Sequence, residues 1–153
     1  MNDLDYMRLA LTEAENALET GDVPIGAIAV YKGEIIGRGY NRREADHDST
    51  AHAEILAIQQ ASRFLNHWRL DGVTLYCTLE PCAMCAGAMV LARLPRLVYA
   101  APDPKAGAAG SLMDITRHPY LNHRVDVMGG LLAEEAGGLI RTFFQKLRDQ
   151  KPK

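Results

Sequence analysis

Four side chains stand out by type and spacing: His52 and Glu54 in Thr50-Ala51-His52-Ala53-Glu54, and Cys82 and Cys85 in Glu80-Pro81-Cys82-Ala83-Met84-Cys85. Pro81 suits the first turn of a helix, which would put Cys82 and Cys85 on one helical face. The unpaired N–H groups of a first turn and the positive end of the helix dipole favour the thiolate, the form of cysteine that ligates metals. Two sulfurs and an imidazole are a donor set for zinc. His52 is the natural third ligand, because it too falls near a helix N-terminus, and helices that follow neighbouring strands can aim their N-termini at one spot. Three protein ligands leave one tetrahedral position for water, the arrangement of a catalytic rather than a structural site. Cys77 lies inside a strand-like run and reads as a small buried residue, not a fourth ligand. Glu54 is two residues from His52, and on a regular helix such residues point nearly opposite ways. It is therefore a poor second ligand, but its long side chain can reach a water at the open position and act as general base and then acid.

Each half of this constellation is weak alone. His-x-Glu is an ordinary pair on many surfaces, and Pro-Cys-x-x-Cys serves structural zinc knuckles and redox pairs as well as catalytic sites. In this order and about 30 residues apart, the two form the signature of zinc-dependent nucleobase deaminases. A non-catalytic RNA-binding module with structural zinc would leave Glu54 idle and has only three obvious ligands. A thiol redox protein would leave His52 and Glu54 unexplained.

The elements that must position these residues can be read from periodicity. Leu4, Met7, Leu11, Ala14 and Leu18 recur at helical spacing, predicting a helix over 3–20 that Gly21 stops. Residues 25–30 and 34–40 read as a hairpin turning at Lys32-Gly33, followed by a polar loop over 41–49. A second helix is expected from Ser49 or Thr50 to about Leu65, a strand over 73–79, a helix from Pro81 towards Pro95, and a strand over 97–101. Residues 102–111 read as a loop, 112–116 as a short helical turn, 125–128 as a fifth strand, and 131–150 as a last helix weakened at Gly137-Gly138. The order argues for a single α/β domain over 1–153, a sandwich with helices on both faces of a mixed sheet.

The 153-residue length suits one domain. Hydrophobic residues make up 48% and charged residues 24%, ordinary values for a soluble protein. The apolar runs are too short for a membrane span. The acidic start, Met1 to Tyr6, has no signal-peptide core, so a cytoplasmic location is expected. The three cysteines do not suit a closed disulfide set. Net charge is −2, but its distribution is uneven. Residues 1–22 hold six acidic side chains against Arg8, whereas residues 138–153 hold Arg141, Lys146, Arg148, Lys151 and Lys153 against Asp149. A basic last helix reads as a solvated face or as a phosphate-binding one.

At its zinc motifs the chain resembles the cytidine/deoxycytidylate deaminase superfamily, and more closely the bacterial tRNA-specific adenosine deaminases. The resemblance spans nearly the whole chain. It includes Asp22-Val23-Pro24-Ile25-Gly26-Ala27, Gly39-Tyr40-Asn41-Arg42, the run from Thr78 to Met89, and the run from Asp103 to Leu112. It implies a three-layer α/β/α fold with a five-stranded mixed sheet, and one zinc held by His52, Cys82 and Cys85. Glu54 would be the proton shuttle in hydrolysis of a wobble adenosine to inosine, with the base drawn from a single-stranded loop. Asn41 and the backbone of Ala53 would meet the base. Asp103 and Lys105 would meet the anticodon loop, and Phe144 would help position a nucleotide, although at least one of Phe143 and Phe144 should face inward. A homodimer is implied as well. The alternative within the superfamily is a deaminase of a free base or nucleoside of guanine or cytosine type.

Overall fold

The computed structural model describes residues 1–150; Lys151 and Lys153, counted above in the basic C-terminal stretch, lie outside the described residues. The elements in chain order are α1 (Asp3–Asn16), β1 (Gly26–Tyr31), β2 (Glu34–Tyr40), α2 (Ala53–Leu65), β3 (Val73–Leu79), α3 (Ala83–Leu91), β4 (Arg96–Ala101), β5 (Asp126–Gly129) and α4 (Ala133–Asp149). The strands form one five-stranded sheet in the order β2-β1-β3-β4-β5. β1 runs antiparallel to β2 and β3, while β4 and β5 continue parallel to β3.

The period-2 alternation of a strand divides β1 between two apolar layers. Ala27 and Ala29 join the layer under α2 and α3, with Ala57, Ala61, Leu75, Met89 and Leu97. Ile28 and Val30 join the layer under α1 and α4, with Met7, Ala10, Tyr76, Val98 and Ala136. Covered on both faces, β1 reads as a continuous apolar run. Met7, Ile28, Leu75 and Leu97 are fully buried, each contributing about 1.5–3 kcal/mol. The expected three-layer α/β/α sandwich is thus the fold found.

Two glycines fix how α2 lies on the sheet. A Cβ at Gly37 would stand 2.3 Å from the carbonyl oxygen of Ala57, and one at Gly39 would stand 2.3 Å from that of Ala53. The helix backbone therefore rests directly on β2, and only glycine leaves it room. Ala53 begins α2, so Gly39 sets the height of the residues around it.

The structure corrects several expectations. α2 starts at Ala53 rather than Ser49 or Thr50, because the Asp48 carboxylate accepts from the N–H and hydroxyl of Thr50 and closes a turn there. α3 starts at Ala83, so Pro81 precedes the helix and Cys82 is its extended N-cap. Residues 112–116 form no helix: the Asp114 carboxylate takes the Thr116 hydroxyl and the Arg117 N–H, and Ala109 and Asp114 pair as an isolated bridge. α4 runs unbroken through Gly137-Gly138. The two helices that begin at the motifs do not follow neighbouring strands, since β1 separates β2 from β3. Antiparallel to both, β1 leaves β2 and β3 pointing the same way, and that brings both helix N-termini to one edge.

Candidate active site

His52 and Cys82 occupy equivalent positions. Each is an N-cap in extended conformation, with φ −81° for His52 and −73° for Cys82. Each gives its carbonyl to the first helical turn, accepting from Leu56 and Ala86 respectively. Neither side chain caps its own helix, so both are left to face each other. Cys85 follows one turn into α3. His52 Nδ1 lies 3.6 Å from Cys82 Sγ and 3.5 Å from Cys85 Sγ. The three ligand atoms all fall within 4.8 Å of one another. Tetrahedral bonds of zinc to nitrogen and sulfur would set N and S about 3.6 Å apart. The corner therefore has the spacing, as well as the soft donors, for that ion.

The electrostatics agree with a ligand set. The Cys82 thiol is lowered to about 3, chiefly by hydrogen bonding with Cys85 and then with His52. Hydrogen bonding to Cys82, burial and the neighbouring negative groups push Cys85 well up. His52 is raised by its hydrogen bond with Cys82. Cys77 stays apart from this corner: it is fully buried in β3 opposite Ala27, and burial pushes its thiol up.

Glu54 is 4% exposed in the first turn of α2, and burial pushes its carboxyl up. The expected opposition of Glu54 and His52 does not arise, because His52 is not helical. Both line one cavity of about 190 Å³, with Cys82, Asn41, Ala53 and Asp103. Asn41 is 8% exposed. Its Nδ2 donates to the Val23 carbonyl and its Oδ1 accepts from the Arg43 N–H. One amide hydrogen and one lone pair remain for a guest.

Lys105 and Phe144 do not reach this cavity. They line the adjoining groove between the 102–105 segment and α4, which shares Val23, Leu79 and Asp103 with it. Phe143 and Phe144 meet edge to face at 5.2 Å. Neither is a core residue: Phe143 is half-buried and Phe144 is 40% exposed.

Two buried carboxylates had no role assigned from sequence. Asp22, 1% exposed, accepts from the N–H groups of Glu44 and Ala45 and the hydroxyl of Thr20, pinning the loop that carries Asn41. Glu80 pins the 103–111 loop through Asp103, Ala109 and Ser111. Burial raises the Glu80 carboxyl, and these donors outweigh it to give a net lowering. The available signal was an acidic residue closing an apolar strand just before the Pro-Cys motif. Arg43 also lines the cavity and was not anticipated.

The sandwich and its His/Cys/Cys corner, with a buried glutamate beside it, define a deaminase of the cytidine deaminase-like fold. A family model described as MafB19-like deaminase matches residues 1–148. The tRNA-specific adenosine deaminase of Bacillus subtilis (strain 168) is 51% identical over 146 residues, covering 95% of this chain and 91% of that protein. A solved structure from a study of A-to-I editing by tRNA:A34 deaminases matches with a TM-score of 0.82 at 44% identity, over 88% of this chain and 98% of that one. A guanine deaminase from Nitrosomonas europaea matches with a TM-score of 0.76 at 28% identity, over 93% and 84%. The chain belongs to the tRNA-specific adenosine deaminases.

Proposed function

We propose that this chain is a single zinc-dependent deaminase domain that hydrolyses adenosine to inosine at the wobble position of a tRNA anticodon, releasing ammonia. The reaction makes it a hydrolase acting on the C–N bond of a cyclic amidine. The observation that carries the reading is the meeting of His52 with Cys82 and Cys85 at 3.6 and 3.5 Å, beside a buried Glu54 that lines the same cavity. Identity of 51% to a tRNA-specific adenosine deaminase supports the substrate.

His52, Cys82 and Cys85 would hold one zinc, which when bound supplies a water acidified towards a pKa of about 7. Glu54 is buried in the first turn of α2 and lines the same cavity, and burial raises its carboxyl towards the range of a group that can both take and give a proton. It would take the first proton of the attacking water and deliver it to N1 of the adenine, then take the proton of the hydroxyl added at C6 and pass it to the amine, which leaves as ammonia. Asn41 and the free N–H of Ala53 orient the base edge. Asp103, Lys105 and Phe144, along the groove leading out, would meet the flanking nucleotides. The cavity admits one base, so the target leaves its stack, at least cost in a single-stranded loop.

We also read the enzyme as a cytoplasmic homodimer. Phe64, Trp68 and Leu91 stand 54%, 59% and 72% exposed near the ends of α2 and α3, apolar surface that a second copy would cover. Among the described residues no helix is long and apolar enough to cross a membrane.

The test is to offer the zinc-loaded protein an anticodon stem-loop with adenosine at the wobble position, the same stem-loop with cytidine there, and free guanine. Inosine from the first alone is the expected result. Turnover of guanine with an inert stem-loop would replace the tRNA reading by the free-base one.

A further inference from the structure

Glu80 is a buried carboxylate that the chemistry above leaves unused. It follows β3 directly, is 2% exposed, and lies between the sheet and the turn that carries Cys82. No ion pair among the described residues reaches it. Its partners are all neutral donors of one loop. Oε1 accepts from the Asp103 N–H at 3.0 Å and from the Ser111 hydroxyl. Oε2 accepts from the N–H groups of Ala109 and Ser111, both at 3.0 Å.

The loop is closed tightly around this carboxylate. A Cβ at Gly107 would stand 2.4 Å from Glu80 Cδ and 2.5 Å from the Asp103 carbonyl oxygen. The Ala108 N–H donates to the Pro81 carbonyl at 2.8 Å, and the Gly107 N–H to that of Asp103 at 2.8 Å. At the start of the loop, Asp103 Oδ1 accepts from the N–H groups of Lys105 and Ala106. The loop has little regular hydrogen bonding of its own, so the Glu80 oxygens replace the pairing a sheet or helix would give. The loop meets the metal turn through the Ala108–Pro81 bond, while the metal corner has further supports of its own in the N-caps of α2 and α3 and in the seat of α2 on Gly39.

We propose that Glu80 is a positioning residue for the RNA. By gathering four donors from the loop over 102–111, it holds Asp103 and Lys105 in the arrangement that receives the anticodon loop. It takes no part in holding zinc or moving protons. This rests on the tRNA reading above.

The test is Glu80→Gln, which keeps the shape and removes one acceptor. An amide NH2 on the Oε2 side meets two N–H groups. On the Oε1 side the Ser111 hydroxyl can turn to accept, but the Asp103 N–H is left facing a donor. Either orientation leaves at least one mismatch. Expected are full zinc occupancy, kcat on the stem-loop within about threefold of wild type, and KM raised about tenfold, the worth of one lost buried hydrogen bond to a charge. Amide hydrogen exchange should quicken at Ala109 and Ser111 and not in α2 or α3. Ser111→Ala, which removes one donor, should raise KM by about threefold. Loss of zinc, or loss of kcat at unchanged KM, would assign Glu80 to the metal turn and overturn the proposal, as would unchanged constants and unchanged exchange. Should Glu80→Gln fail to fold, an unchanged KM in Ser111→Ala overturns it. The wild-type protein is the separate control: if it forms no inosine, the tRNA reading fails and takes the RNA role of Glu80 with it. The exchange data then report only whether Glu80 holds the loop.

Discussion

Two walls of the candidate active-site cavity are built on opposite principles. The metal corner stands on regular elements, with His52 and Cys82 each ending an extended segment and starting a helix. The wall opposite, residues 102–111, has almost no regular structure, and the buried carboxylate of Glu80 organises it instead. The corner needs ligands fixed by rigid elements, because a metal site tolerates little displacement. The loop, in the proposed role of meeting the RNA, needs a particular shape, and one side chain with several acceptors holds it. Damage to the corner should therefore stop chemistry, and damage to the loop should weaken binding.

The largest effect is expected from Cys82→Ala. It removes one of the three proposed zinc ligands, so zinc and turnover should both fall below detection, with a lower melting temperature because the metal would contribute to folding. Metal analysis and a melting curve check this. A variant that retains one zinc and wild-type rates would break the contrast between the two walls.

Gly39→Ala tests the support rather than the ligands. The new methyl would be driven against the Ala53 carbonyl at 2.3 Å, and overpacking of this kind costs about 1–3 kcal/mol. The variant should be destabilised by that amount and bind zinc more weakly, since α2 carries both His52 and Glu54. Denaturant unfolding and zinc titration measure the two together. Destabilisation with unchanged zinc affinity would show that the corner does not depend on how α2 is seated.

The smallest effect lies away from both walls, at the other end of the sheet. Asp3 receives two hydrogen bonds from Arg96 and one from Tyr76. Hydrogen bonding from Arg96, then from Tyr76, lowers its carboxyl from 3.8 to about 2. A depressed folded value means that this stability is present above about pH 4 and is lost as pH falls towards 2. Asp3→Asn should lower the melting temperature at pH 7, and its gap from wild type should close over that acid range. Zinc content and KM should not move. A gap that stays constant down to pH 2 would contradict the assignment.

The contrast between the walls also explains what could be read from the sequence. His52, Glu54, Cys82 and Cys85 form short motifs, and their chemistry needs only local spacing plus one meeting of two segments. The strands were legible as apolar or alternating runs bounded by turn signals, and so was the layered order. The start of α1 at Asp3 was legible too, but those of α2 and α3 were not, because Asp48 draws Thr50 into a turn and Pro81 serves an extended segment as readily as a first turn. The seating of α2 depends on glycines in a different strand. Glu80 and its donors are separated by 23 to 31 residues, and no local pattern marks such a wrap. The neighbourhood of β1 and β3 was equally hidden, since it arises from pairing across the intervening β2 and α2.

The central claim is that one set of residues holds the metal and another residue moves the proton. The most direct measurement is zinc content and inosine formation in the same preparation of Glu54→Ala, beside wild type, on the wobble-adenosine stem-loop. The account predicts one zinc per chain in both proteins and a fall in kcat of about 10²–10⁴-fold in the variant. Wild-type rates in Glu54→Ala, or loss of its zinc, would contradict it.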